Sequence, residues 1–404
     1  MSATNQPVTS STIVVAVDVG KSVAAISATT ADRHRLFGPV EITMTVTAVA
    51  DLTTHIQSRI PADAQVKLGI EAAGHYHHPM LDHSWPTGWE VLEVNPARVG
   101  EQRRINGKRR VKTDAIDLEA ITDLVLAGQG QPASARPLVI EQITALTAHR
   151  TRRVLARTAV KNQLISQLDR SFPGLTLALP RVLDTKIGRL IIAEFADPAR
   201  LRHLGTAKLI RFAGNRGLQL RQPVAERLIA AAREAMPTHA APMARQILAQ
   251  DAALLADLDA QIGTAEAQLA ALLPDSDFAT LTTVPGWGVV RVANYGGALG
   301  DPDRWPGPRQ VYRASGLSPM QYESAGRRRD GKISREGSVR LRRALIDLGL
   351  GLWLIEPAAR ARGAELRARG MKGKVIACTM ANRANRIAFA MVRDHTAYEP
   401  ARWA

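Results

Sequence analysis

Over residues 12–130 the apolar positions come in short runs separated by turn signals. TIVVAVDVGKSVAAISATT holds two β-prone runs around Gly20, which predicts a hairpin with Asp18 at the end of its first strand. VEITM supplies a third strand, and residues 45–60 carry apolar positions at helical spacing. QVKLGIEA predicts a short buried strand that delivers Glu71 at its end, followed by a helix and then by the strand-like WEVLEVNP. Residues 114–127 are helical, capped by Thr113 or Asp114. A three-stranded meander followed by alternating helices and strands is a mixed sheet with helices on its faces.

After Pro137 the strand signal fades. Residues 138–170 predict one long amphipathic helix with Arg150, Arg152, Arg153, Arg157 and Lys161 on its polar faces. Residues 243–273 hold a tighter register, because Leu248, Leu255, Ile262 and Leu269 recur every seven residues. Such a coiled-coil seam must bury its stripe, either in an internal hairpin with Leu146 to Leu168 or in a dimer. Residues 175–240, with prolines and short apolar patches, predict no defined architecture. VPGWG is a tight turn before a helix, whose free backbone amides can meet a phosphate, although such turns are common.

Composition narrows the partners. A chain of 404 residues suggests two or three domains, and a net charge of +16 points to a polyanion. Nucleic acid is favoured over membrane: no apolar run spans a bilayer, and the polar opening MSATNQPVTSST argues against a signal peptide. The lone Cys378 excludes a disulfide framework and fits the cytoplasm. Basic residues crowd two stretches. One holds Lys108, Arg109, Arg110 and Lys112; the other holds Arg327, Arg328, Arg329, Lys332, Arg335, Arg340, Arg342 and Arg343, interrupted only by Asp330 and Glu336. A solvated face would intersperse more acids, so phosphate binding is the reading for both.

Against this background four acids stand out. Asp18 and Glu71 become neighbours if their strands pair, and the three-residue spacing of Asp114 and Asp117 puts both on one helical face. Carboxylates converging in this way repel one another and call for cations. Mg²⁺ suits hard oxygen donors, and two such ions about 4 Å apart stabilise both oxygens of a phosphodiester exchange. Taken singly, each acid also reads as an exposed residue or a helix cap. The histidines of GHYHHPMLDH lack a cysteine or a His-x-x-x-His pattern, which disfavours zinc.

The ordered set VAVDVGKS, GIEAAGHY, NPARV, KRRVKTDAIDLEA, VPGWG, RASGLSPMQYESAG and REGSVRLRRAL resembles the RuvC-like DEDD transposases and recombinases of bacterial insertion sequences. These are relatives of the Piv invertase and belong to the group known for bridge RNA guidance. The match covers residues 12–130 and 278–385. The resemblance implies an RNase H-like (RuvC-like) α/β domain at 12–130 after a polar tail at 1–11. It further implies an α-helical coiled-coil middle at 131–275, a mostly α, serine-bearing transposase domain at 276–365 and a basic tail at 366–404.

Carried over by position, Asp18 matches the first acid of the tetrad, Glu71 the glutamate of the Glu-Ala-x-Gly motif, and Asp114 and Asp117 the final pair. Ser324 matches the serine nucleophile that follows a Gly-Leu-x-Pro motif. This chain has Ser324-Ala325-Gly326 where relatives often read Ser-Gly, which leaves Ser334 and Ser338 as fallback nucleophiles. The implied activity is DNA cutting and rejoining through a phosphoserine link, assisted by Mg²⁺ on the four acids. The implied partners are donor and target DNA, a guide (bridge) RNA and further copies of the chain as a dimer or tetramer, in the bacterial cytoplasm at the nucleoid. Two readings compete: a metal-dependent nuclease or junction resolvase that uses water, and a non-catalytic nucleic-acid-binding protein.

Overall fold

The computed structural model describes residues 12–61, 63–107, 111–133, 137–324 and 327–403; of these, 323, 324, 327–330, 402 and 403 are described by backbone alone. Lys108, Arg109 and Arg110 therefore lie outside the described residues. The chain divides into two compact units, 1–135 and 136–404.

The first unit is a mixed sheet with helices. Its elements are β1 (Thr12–Val19), β2 (Val23–Thr30), β3 (Arg35–Thr43), α1 (Val46–Gln57), β4 (Gln65–Glu71), α2 (His78–Leu81), β5 (Glu90–Val94), α3 (Pro96–Ile105), α4 (Asp114–Leu126) and β6 (Gln131–Pro132). The strands lie in the order β3-β2-β1-β4-β5-β6. β1, β2 and β3 form an antiparallel meander, β4 and β5 run parallel to β1, and β6 is an antiparallel edge.

β1 is central and covered on both faces. Val15, Val17 and Val19 belong to the core under α1, whereas Val14 and Ala16 pack with Leu118, Ile121 and Val125 of α4. Every β1 residue is buried except Asp18, which is half-buried. A strand this apolar is stable only between two layers, so its one acid has to sit where the covering ends. Gly69 lies on the α4 side of β4, where a Cβ would stand 2.5 Å from Val125 Cγ2 and 3.1 Å from Ile121 Cγ2. Its missing side chain lets α4 lie close on the sheet.

The second unit is mostly helical. α5 (Leu138–Ser171) packs against α11 (Ala241–Leu272), and α6 (Leu175–Ala178), α7 (Lys186–Phe195), α8 (Pro198–Leu204), α9 (Thr206–Gly214) and α10 (Gln222–Glu234) lie between them in sequence. α12 (Val289–Leu299) and α13 (Pro308–Ala314) follow, then a hairpin of β7 (Pro319–Ser324) and β8 (Arg327–Ile333). α14 (Val339–Ile355), α15 (Pro357–Ala368) and α16 (Gly373–Asp394) complete the core.

Of the two fates open to the heptad seam, the structure has the internal hairpin. Arg150 meets Glu266 at 2.7 Å, and seven residues further along α5 Arg157 meets Asp259 at 3.4 Å, seven residues earlier on α11. These equal and opposite steps mark an antiparallel pair in heptad register. Leu248, Leu255 and Leu258 pack into a core made with α6 to α10. Residues 175–240, whose sequence predicts no defined architecture, thus form helices that share a core with α5 and α11.

Two expectations need correction. Residues 366–404 are not a basic tail: α16 buries Ile376, Met380, Ala384, Ile387 and Met391 in the same core as Trp287 and Tyr295. Helix α16 reads as basic because its outward positions carry the charge, while a full apolar stripe faces inward. The expected division at residue 275 also cuts through packing, since Ile140, Ile143, Leu269 and Leu273 join the core of α12 to α16. No helix among the described residues is long and apolar enough to cross a membrane.

Candidate active site

The parallel register of β1 and β4 sets Val17 beside Ile70, which places the next residues, Asp18 and Glu71, side by side at the strand ends. Both belong to the α4 side of the sheet, because Ala16 and Gly69, two residues earlier, face that helix. On α4, Ile121 and Val125 reach Gly69, and Asp117 stands one turn before Ile121 on the same stripe. The contact that seats the helix therefore also carries Asp117 over the acid-bearing strand ends. Thr113 caps α4, its hydroxyl accepting from the Ile116 N–H, so Asp114 and Asp117 fall in the first turn. Asp117 is buried and Asp114 is exposed.

The electrostatics report the convergence. Burial raises Asp18 above the usual carboxylate range, and the charges of Asp117 and Asp114 add to it, while Lys112 and Arg103 act against them. Glu71 is pushed up to about 7 by burial first, then by Asp18 and Asp117. Asp18 thus feels Asp117 and Asp114, and Glu71 feels Asp18 and Asp117. Arg103 Nε stands 3.1 Å from Asp117 Oδ1, and Lys112 Nζ 4.0 Å from Oδ2. The Arg103 contact has the distance but not the direction of a hydrogen bond, so Oδ1 stays buried without one.

Among the described residues, no three His, Cys, Asp or Glu side chains are drawn to a common point at ligand distance. The donors nonetheless fit a hard divalent cation: four carboxylates, two with raised proton affinity and one with an orphaned buried oxygen. A cation near these groups would favour their ionised forms and satisfy that oxygen. Asp18, Glu71, Asp114 and Asp117 are the residues that could hold it.

Two contributors escaped the sequence reading. Arg103 came from α3, whose charge pattern resembles any solvated helix. His77, weighed only as a zinc ligand, is buried; its Nδ1 accepts from the Ala73 N–H at 3.2 Å and its Nε2 lies 3.5 Å from Glu93 Oε1. It thereby fixes the loop that leaves Glu71. The spacing of these histidines disfavours zinc, but no sequence signal points to the structural role.

In the second unit, Ser324 ends β7 and pairs with Arg327 across the hairpin, while Arg328 and Arg329 face Glu323 and Tyr322 in register. The side chains of Ser324 and Arg327 to Arg329 lie outside the described part of the structure. The hairpin interrupts a region expected to be mostly helical, since alternation in PMQYES and RRRDGKI is masked by charge. Of the fallback nucleophiles, Ser338 caps α14 by accepting from the Leu341 N–H, and Ser334 accepts from the Glu336 N–H.

The remaining cations differ in their surroundings. Lys332, Arg335 and Arg343 are exposed, whereas Arg340 donates to the Thr144 carbonyl and the Thr147 hydroxyl and ties α14 to α5. Arg342 keeps a buried Nη1 without a hydrogen bond. The VPGWG turn serves packing: a Cβ on Gly286 would stand 2.3 Å from the Gly351 carbonyl oxygen, and the Trp287 indole donates to the Leu348 carbonyl.

Comparison with known proteins gives these arrangements a context. Residues 15–173 match an IS110-type DEDD transposase model, and residues 279–363 match the model described as transposase IS116/IS110/IS902 family. An uncharacterized 44.8 kDa protein of insertion element IS116 from Streptomyces clavuligerus is 25% identical over 395 residues, spanning 96% of each chain. An uncharacterized 42 kDa protein of IS900 from Mycobacterium paratuberculosis is 27% identical over 300 residues, 72% of this chain and 73% of its own. A probable family 20 transposase of Pseudomonas aeruginosa is 29% identical over 154 residues, 36% of this chain and 44% of its own.

Proposed function

Because the chain belongs to the IS110/IS116/IS902 family of insertion-element transposases, we propose that it cuts and rejoins DNA through a phosphoserine link, with Asp18, Glu71, Asp114 and Asp117 as its charge-handling site. The observation that carries this reading is the burial of mutually repelling acids at one end of a central strand pair, strong enough to push Glu71 up to about 7. The strand order and mixed directions support an RNase H-like unit. Folds of that plan position acids at the ends of adjacent strands, as here.

In this mechanism Asp18, Glu71, Asp114 and Asp117 would hold Mg²⁺, which would supply positive charge against the negative charge that develops in phosphodiester exchange. The proton that the nucleophile loses passes to the departing oxygen, while Asp18 and Glu71, whose proton affinity burial raises, would return to the ionised form of a ligand once a cation is bound. Arg103 holds the buried Asp117 in place and offsets its charge. The Ser324 oxygen attacks phosphorus, the bond to the leaving 3′ oxygen breaks, and that oxygen departs carrying a proton. Reversal by another 3′ hydroxyl releases the serine and joins the new strands. Lys112, Arg327, Arg328, Arg329, Lys332, Arg335, Arg342 and Arg343 hold nucleic-acid backbone, as do Lys108 to Arg110. They carry little base discrimination, which leaves sequence choice to a guide RNA. Copies of the chain assemble on donor and target DNA, at the nucleoid.

The test is denaturing electrophoresis of cleaved, labelled DNA. A protein–DNA adduct is expected in the wild type, lost in Ser324→Ala, with cleavage itself lost in Asp117→Ala. Cleavage without an adduct would establish a water-using nuclease, and binding without cleavage a non-catalytic protein. An adduct that survives Ser324→Ala and disappears in Ser334→Ala or Ser338→Ala would move the nucleophile.

A further inference from the structure

A cavity of about 840 Å³ opens in the second unit between α13, α16 and β7. α13 supplies Arg309 and Arg313, one turn apart, and α16 supplies Asn382 and Arg386, also one turn apart. Tyr322 of β7, with 56% of its surface exposed, and Glu336 also line it. None of the three arginines has an ion pair or side-chain hydrogen bond among the described residues, and none stood out in the sequence.

The walls are held in place independently of any ligand. The Tyr312 hydroxyl donates to the Cys378 carbonyl at 3.1 Å, one turn before Asn382 on α16. The buried Asn385 amide donates to the Pro308 carbonyl at 2.6 Å, tying α16 to the start of α13. Such cross-links keep the three arginines of the two helices in place and lower the cost of ordering a ligand between them.

The charges give the cavity a direction. The guanidinium groups of α13 and α16 suit phosphate oxygens, Glu336 repels phosphate from its own part of the lining, and Tyr322 of β7 offers an uncharged ring. An exposed tyrosine ring is a stacking platform for a base, and the space exceeds a single nucleotide. A duplex offers no unstacked base, so the geometry selects for a single strand. We infer that this cavity takes one or two unstacked nucleotides of a single strand, phosphates on Arg309, Arg313 and Arg386 and a base on Tyr322.

The inference rests on the nucleic-acid reading of the chain but not on its chemistry. The test is fluorescence anisotropy with full-length protein freed of copurified nucleic acid, using a single-stranded DNA, the same sequence as RNA, and the DNA duplex. Tyr322→Ala lowers the ratio of single-strand to duplex affinity about tenfold. Arg386→Gln reduces the salt slope of single-strand binding by about 0.7, the signature of one lost phosphate contact. Whichever of DNA or RNA shows the larger effect identifies the source of the strand. Tyr322→Phe, which keeps the ring, retains the ratio and guards against misfolding. An unchanged ratio in Tyr322→Ala, or equal losses on single strand and duplex, overturns the inference. Covalent-adduct assays stay separate: their failure removes the phosphoserine mechanism and leaves this site standing.

Discussion

The two buried acids of α4 show how differently one helix can use the same side chain. Asp123, in the last turn of the helix, is enclosed by donors: the Arg33 guanidinium, the Asn106 amide at 2.8 Å and the Gln102 amide at 3.2 Å. Asp117, in the first turn, has one oxygen without a hydrogen bond and lies among acids whose proton affinity it raises. The first is a structural tie between α3 and α4; the second holds capacity in reserve. The arginines of the second unit repeat the contrast, since Arg340 is engaged by α5 while Arg309, Arg313 and Arg386 have no such partners. A charged group left unsatisfied in a fold that could have satisfied it points to something outside the chain.

The strongest break of this comparison is Asp117→Ala, expected to lower strand cleavage about a thousandfold, the order that loss of one charge-stabilising group costs. Asp123→Ala in the same assay should retain cleavage at temperatures where it stays folded. Next comes Gly69→Ala. It should cost about a hundredfold by displacing α4 and Asp117, and Val125→Ala in the same chain should restore much of the loss, because the clash is with Val125 Cγ2. Full loss without rescue would show that α4 is not what seats the acid.

Asp123→Asn tests the other half. It weakens the donors' shared acceptor and should lower unfolding stability by about 1–3 kcal/mol, measured by urea denaturation. The smallest effect concerns Glu71. Its folded proton affinity is raised above the ordinary value, so the native state keeps a proton that the unfolded chain has released. Stability in Mg²⁺-free buffer should therefore fall as pH rises from about 4.5 to about 7. Glu71→Gln should flatten that interval and leave the protein more stable than wild type at pH 8. A wild type and variant that run parallel across the interval would show that Glu71 titrates normally.

Much of this was legible before folding was considered. Strand-end placement of Asp18 and Glu71 follows from apolar runs that end at an acid, and Thr113 announces the start of α4. The α5–α11 register was visible too, although not whether its seam closed on itself. What stayed hidden depended on neighbours distant in sequence. Arg103 looked like surface charge, His77 showed no sign of its structural role, and α16 looked like a tail. The hairpin of β7 and β8 was concealed because β7 is short and β8 is made largely of charged residues.

The sequence alone determined the elements of the first unit, the two long helices of the second, the two ends of the candidate chemistry and the strongly cationic character, because periodicity, capping and net charge are local or additive properties. Only the tertiary structure decided which acids are strained and which satisfied, and which arginines remain without partners. Those differences arise from burial and from charges brought together across the sheet and between helices, and neither is a property of any residue by itself.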